Sequence, residues 1–333
     1  MNIISLFDGI ACGRLALQRA GISVHRYIAS EIHQPSIQIA TQNFPDIQEK
    51  GDIRSFIPTF SPDLLIGGSP CTNFSTIGKL NGMTDGNAQI TTLNQYLKLK
   101  ESNTKLEGQS YLFWEYVRIL QQCKPKYFLL ENVVMKKEWE DIISNALGVS
   151  PILINSSLFS AQNRKRLYWT NIPVSELPKE NASPSLSSIL DPSADNTDVS
   201  YTATVQRSFE RLNKRYGYIP ARFNAYNAQE IFEKAPTLST GSMITSSCAT
   251  LLFVPVKNGI HTIKNGWINE KYRSKLPDGE YNIRKLNIVE MERLQTLPDH
   301  YTDGVTRIQR EKAIGNGWTV DVITHILSGL NTT

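Results

Sequence analysis

Asn2-Ile-Ile-Ser-Leu-Phe-Asp-Gly-Ile-Ala-Cys-Gly13 decides the fold. Its apolar start, Asn2 to Phe7, reads as a strand, and Gly9 to Ala20 as a helix that follows at once. Glycines at a strand-to-helix turn let a ligand approach the backbone and aim helix N–H groups at an anionic moiety. A second strand, Val24 to Ser30, runs into Glu31, 22 residues beyond Gly9. An acid there is placed to accept both hydroxyls of a ribose. Gly51-Asp52-Ile53 follows, with an acid positioned to take an adenine amino hydrogen. Strand, glycine turn and distal acid together point to an adenosine-containing cofactor. A dinucleotide and S-adenosylmethionine both satisfy that pattern.

Working outward, a helix is predicted over Pro35 to Asn43, a strand over Asp63 to Ile66 and a helix over Tyr111 to Gln122. Further strands are predicted over Tyr127 to Leu130 and Ile152 to Leu158. Strands that are apolar throughout, alternating with amphipathic helices, predict an α/β fold with a doubly wound, mostly parallel sheet. The chain has 333 residues, room for one large domain or two unequal ones, and its 40% apolar and 20% charged residues are an ordinary globular mixture. No apolar run approaches the roughly 20 residues of a membrane helix, and the N-terminus does not read as a signal peptide. Four cysteines, Cys12, Cys71, Cys123 and Cys248, show no C-x-x-C spacing. A metal site is therefore not expected, and a reducing, cytoplasmic setting is.

From about residue 172 the texture changes. Residues 172–200 carry one Lys and five acids, whereas 201–288 carry 13 Lys/Arg against six acids, so the net charge of +4 hides a basic segment. Within it Val205, Phe209, Leu212 and Tyr216 share one helical face, and Arg207, Arg211, Lys214 and Arg215 the opposite one. A solvated basic surface is one reading; a phosphate-contacting face is the other.

Gly67-Gly-Ser-Pro-Cys71 directly follows the strand ending at Ile66, which puts Cys71 on a turn at the carboxyl edge of the sheet, where such folds bind ligands. Together with it, Ser5-Leu-Phe-Asp-Gly9, Glu131-Asn-Val133, Gln162-Asn-Arg-Lys-Arg166, Arg284-Lys-Leu286 and Gly315-Asn316 occur in the order found in DNA cytosine-5 methyltransferases. The chain resembles that family from residue 3 to about 327. Its motif style, with Leu-Phe-Asp-Gly-Ile-Ala at the start and Trp318 near the end, is similar to the branch holding the eukaryotic de novo enzymes and related bacterial and phage proteins.

The resemblance implies methyl transfer from S-adenosylmethionine to C5 of cytosine in double-stranded DNA, leaving S-adenosylhomocysteine. C5 is a poor nucleophile until a thiolate adds at C6, so Cys71 is the implied nucleophile. Glu131 is implied to contact N3 and the exocyclic amine, and Arg164 and Arg166 to hold O2 and orient the site. The implied cofactor residues are Phe7, Asp8, Gly9, Gly13, Glu31, Ile32, Asp52, Ile53, Pro70, Leu112, Asn316 and Trp318. Ser75 and Lys79, on a loop from Thr72 that closes over an extruded base, are implied to contact DNA, with Arg207, Arg211, Lys214, Arg215 and Arg284. The implied catalytic, cofactor-binding domain spans 1–171 plus 311–333, and a smaller target-recognition domain spans 172–310. Helices are expected near 287–295 and 317–330. A monomer in the cytoplasm of a bacterial or phage-infected cell, with no membrane and no metal, completes the expectation. Cytosine methylation in tRNA and a non-catalytic DNA-binding homologue are the rival readings.

One departure from the family is the 37-residue span from Cys71 to Gly108. Its extra part, about Asn87 to Glu107, carries Lys98, Lys100 and Lys105 against Glu101 and Glu107. The expectation is a DNA-contacting element outside the core, with a short helix through Leu93, Tyr96, Leu97 and Leu99, and replaceable by a linker without loss of stability.

Overall fold

The computed structural model describes every residue except 71–82, 85–87, 107, 180–182, 239–249 and 333. The chain divides into two compact units, one of residues 1–155, 165–177 and 320–333 and one of residues 156–164 and 178–319. The expected domain boundaries differ from this division in three places, since 156–164 and 311–319 group with the second unit and 172–177 with the first.

The first unit opens with β1 (Asn2–Leu6), α1 (Cys12–Arg19), β2 (Arg26–Ser30), α2 (Gln34–Asn43), β3 (Ile47–Glu49) and β4 (Leu64–Gly68). It continues through α3 (Leu93–Glu101), α4 (Phe113–Cys123), β5 (Tyr127–Val133), α5 (Lys137–Leu147) and β6 (Ile152–Asn155). After the short β7 (Gln162–Asn163) of the second unit come β8 (Lys165–Thr170) and, at the end of the chain, a helix over Val320–Ser328. The sheet order is β3-β2-β1-β4-β5-β8-β6. All neighbours pair in parallel except β8, which is antiparallel to both β5 and β6. Strand order reverses between β1 and β4, so the crevice for a ligand lies outside their carboxyl ends.

The central strands are buried on both faces and are apolar for that reason: Ile3, Ile4, Leu6, Leu64, Leu65 and Ile66 are each 0% exposed. Each such side chain contributes about 1.5–3 kcal/mol by leaving water. Gly67 is required by packing, because a Cβ there would lie 2.9 Å from the carbonyl oxygen of Leu6.

The insertion corrects the sequence reading. Its helix, α3, is present, but Ile90 and Tyr96 are buried in the same core as Leu65 and Trp114, and Leu93, Leu97, Leu99 and Leu106 pack against it. The indole N–H of Trp114 donates to the carbonyl of Ile90 at 3.3 Å. The apolar residues of the segment therefore serve the core of the first unit rather than a detachable surface element. Several boundaries also move. The helix expected from Tyr111 begins at Phe113 after a 3-10 turn, and the strand expected to reach Leu158 ends at Asn155.

In the second unit α6 (Ala203–Tyr216) precedes β9 (Arg222–Asn224), β10 (Gln229–Glu230), β11 (Ala235–Pro236), β12 (Thr250–Pro255), β13 (His261–Lys264), β14 (Trp267–Ile268), β15 (Tyr272–Arg273) and β16 (Gly279–Lys285). The antiparallel sheet runs β10-β9-β12-β16-β13-β14-β15, and β11 pairs with β7. Val205, Phe209 and Leu212 of α6 pack with Phe223, Leu251, Phe253, Ile263 and Ile283. α7 (Ile288–Leu294) and α8 (Arg307–Asn316) complete it. Among the described residues no helix is long and apolar enough to cross a membrane, and no group of His, Cys, Asp and Glu is arranged to hold a metal ion.

Candidate active site

The turn after β1 is shaped by alternating left-handed residues, Phe7 (φ 56°), Gly9 (φ 61°) and Ala11 (φ 59°). Such backbone is costly for residues with a Cβ and is retained where the surroundings over-determine it, often at ligand sites. Gly9 donates its N–H to Glu31 Oε2 at 2.9 Å, and a Cβ on Gly9 would meet nothing within 4 Å. The other Glu31 oxygen accepts the N–H groups of Ile32 and His33, both at 2.8 Å. Glu31 is thus locked just after β2, beside the glycine turn. Ile32 next to it is 62% exposed, a large apolar side chain held at the site edge. Gly13 is buried in the first turn of α1. These residues fit an adenosine cofactor: a rigid carboxylate for the ribose, an apolar surface for the base and an uncrowded backbone turn.

Asp52 begins the loop after β3. Both its oxygens are engaged by Arg54, with the closest contact 2.5 Å, and this partner holds the carboxyl below its ordinary range. Ile53 departs from expectation, since its side chain is 4% exposed and belongs to the core, and its carbonyl accepts from Arg118. Leu112 is half-buried against the same core.

Asp8 and Glu49 were not distinguished by sequence as a pair. Asp8 Oδ1 accepts from the hydroxyls of Ser5 (2.5 Å) and Tyr27 (2.6 Å), while Oδ2 is buried without a partner. Burial, opposed by those two hydroxyls and aided by Glu31, pushes its pKa up to about 6. Both oxygens of Glu49, at the end of β3, are buried without a hydrogen bond. Burial first, then repulsion from Asp8 and Glu31, raises it from 4.5 to about 7. The folded state therefore binds a proton that the unfolded chain releases near pH 4.5. That contribution to stability is complete below pH 4.5 and is lost as pH rises to about 7. Glu49→Gln is expected to raise stability at pH 8 by about 1–2 kcal/mol, with the gain fading to none near pH 4.5. Thermal melting of both proteins across that range checks it; equal gains at both ends would refute the assignment.

The segments expected to carry catalysis end the neighbouring strands β4 and β5. Gly68, the last residue of β4, pairs with Glu131 of β5, which pairs in turn with Tyr168 of β8. Glu131 is 8% exposed, and its Oε1 lies 3.0 Å from Arg166 Nε. Asn132 donates its side-chain amide to the carbonyl (3.1 Å) and hydroxyl (3.0 Å) of Ser69, tying β5 to the turn before Cys71. Asn132 was not foreseen as a site residue, although it stands inside the quoted Glu131-Asn-Val133. Pro70 is half-buried; Cys71, Ser75 and Lys79, and the loop starting at Thr72, lie outside the described residues.

Two arginines stand elsewhere than expected. Arg164 belongs to the second unit, where it is 4% exposed and its guanidinium donates to the carbonyls of Leu238, Gly315 and Gly317 at 2.9–3.2 Å. A cation so occupied organises backbone rather than holding a base. Arg284, expected on DNA, is 4% exposed and paired bidentately with Glu290 at 2.7 and 2.8 Å. That carboxylate also completes the capping box of α7 with Asn287, so the pair is structural. Asn316, exposed, and Trp318, half-buried, end α8 and follow it. Arg207, Arg211, Lys214 and Arg215 all lie on the exposed face of α6.

Comparison with known proteins gives one consistent result. Type II methyltransferase M.FnuDI of Fusobacterium nucleatum is 26% identical, with 97% of this chain and 92% of that protein aligned. Orphan methyltransferase M.SPRI of Bacillus phage SPR is 28% identical over 52% of this chain but only 38% of its own length. A solved methyltransferase of Entamoeba histolytica shares the fold with a TM-score of 0.65 at 16% identity, covering 100% of this chain and 98% of that one. The family model for C-5 cytosine-specific DNA methylases matches residues 1–331, and the chain belongs to that family of S-adenosylmethionine-dependent transferases.

Proposed function

We propose that the first unit binds S-adenosylmethionine at the turn after β1 and methylates C5 of a cytosine extruded from duplex DNA, and that the second unit recognises the target. The pairing of Glu131 with Arg166, one strand over from the turn leading to Cys71, carries this reading. When bound, the cofactor supplies an electrophilic methyl group on a sulfonium. Cys71 adds through its thiolate to C6 and turns the ring into an enamine nucleophilic at C5. Glu131 shares a proton with N3 as that bond forms, and Arg166 fixes the carboxyl in place. After transfer, a solvent base takes the C5 proton, the C–H electron pair re-forms the C5=C6 double bond, and the C6–S bond breaks to release the Cys71 thiolate. Glu31 holds the ribose, Asp52 the adenine amino group, and Phe7 and Ile32 the faces of the base. Asp8, Gly9, Gly13, Ile53 and Pro70 shape the pocket, and Leu112 completes it. The protein acts as a monomer in the cytoplasm of a bacterial or phage-infected cell.

Incubating purified protein and cofactor with unmethylated plasmid, then sequencing after bisulfite conversion, tests activity, base and context at once. Protected cytosines in a fixed context are the expected result; uniform conversion would overturn the proposal.

The basic face of α6 is proposed to meet DNA phosphates. Arg211 and Arg215 also donate to the carbonyls of Tyr226 and Ala228 beyond the helix, whereas Arg207 donates to Ala203 within α6, so Arg207 and Lys214 are the cleaner pair to test. Replacing both with Gln should weaken binding to all sequences alike and make the log–log salt slope shallower by roughly one unit per lost contact. An unchanged slope would leave the face a solvated surface.

A further inference from the structure

Glu115 of α4 is a buried carboxylate, 0% exposed, with three donors around it. They are the Tyr96 hydroxyl, Lys100 Nζ and Arg118 Nε, each at 2.5 Å. Two of the donors come from α3, inside the insertion. The cations then reach onward to one loop. Arg118 donates to the carbonyls of Ile53 (2.9 Å) and Phe56 (3.0 Å), and Lys100 to that of Arg54 (2.9 Å). Three carbonyls in the four residues after Asp52 are therefore held by two cations that share one counter-ion. Arg54 in turn holds the Asp52 carboxylate.

We infer that α3 is a positioning element for the cofactor: Tyr96 and Lys100 fix the Glu115–Arg118 pair, which fixes the Asp52 loop and so sets discrimination for the adenine amino group. The inference rests on the proposed contact of Asp52 with that group. Tyr96 and Lys100 act here as positioning residues. Their effect passes through backbone carbonyls, where charge-assisted hydrogen bonds in a low-dielectric setting are strong and directional.

The test is calorimetric binding to the unliganded protein, with S-adenosylhomocysteine and its inosine counterpart, which lacks the amino group, as the two probes. Wild-type protein should prefer the adenosine form by about tenfold or more, the worth of one hydrogen bond to a charged group. Asp52→Asn reports on the underlying contact; a full preference in that variant would refute the role of Asp52, and the inference with it. Given a loss there, Lys100→Met and Tyr96→Phe should also shrink the preference, by weakening the adenosine form more than the inosine form, and Lys100→Arg should restore it. Equal weakening of both ligands in the α3 variants would assign α3 a purely structural part and overturn the inference. Tyr96→Phe removes a single oxygen, so a folded variant remains even if Lys100→Met does not fold.

Discussion

Cys71→Ser is expected to lose turnover by roughly three orders of magnitude or more, while S-adenosylhomocysteine binding should stay near that of the wild type. A serine hydroxyl is far less acidic than a thiol and is a weak nucleophile without a base beside it. Most residues proposed for the cofactor, by contrast, follow directly on β1, β2 and β3 and need no sulfur. Single-turnover methylation and calorimetry on the same preparation separate the two effects. A complementary measurement uses DNA bearing 5-fluorocytosine. The fluorine cannot leave as a cation, so the wild-type protein should remain covalently attached. An adduct of equal yield with Cys71→Ser would place the nucleophile elsewhere.

The sheet was legible because its strands are nearly pure apolar runs and its turns carry the glycines that the geometry demands. What escaped had physical reasons. β3 is three residues, Ile47-Gln48-Glu49, too short to show a period and ending on a carboxylate that only tertiary packing buries. β8 starts with Lys165 and Arg166, which mask the apolar Leu167-Tyr168-Trp169 behind them. α5 did carry a signal, with Trp139, Ile143 and Leu147 four residues apart and Gly148 closing the helix. In the second unit β13 alternates buried His261 and Ile263 with exposed Thr262 and Lys264, but such two- to four-residue strands offer little to read.

The site was legible as a set of residue types and less so as a set of roles. Arg164 and Arg166 look equivalent in Gln-Asn-Arg-Lys-Arg, yet one caps carbonyls of the second unit and the other pairs with Glu131. Charge alone does not say which guanidinium has been spent internally. The same ambiguity misplaced Arg284, whose partner Glu290 lies six residues along the chain. It also hid Glu115, an acid on the buried face of α4 with Arg118 one turn on.

Replacing residues 88–106 with a short Gly/Ser linker should abolish cooperative folding of the first unit, the reverse of what the lysines of this segment imply. Ile90 and Tyr96 are 1% and 2% exposed, and losing two such side chains costs about 3–6 kcal/mol. Leu93, Leu97 and Leu99 leave the same core half-covered. Removing Tyr96 and Lys100 takes two of the three donors from Glu115, and breaking a buried ionic group on one side costs about 3–5 kcal/mol more. The sum reaches the roughly 5–15 kcal/mol that separates a folded domain from its unfolded chain. Long surface loops are cheap to shorten because closure entropy varies slowly with length, so a solvent-facing excursion would have shown almost no change. Circular dichroism and thermal melting of the deletion decide between these outcomes. A cooperative transition within a few degrees of the wild type would return the insertion to the surface; loss of the transition would make α3 part of the fold on which the cofactor loop depends.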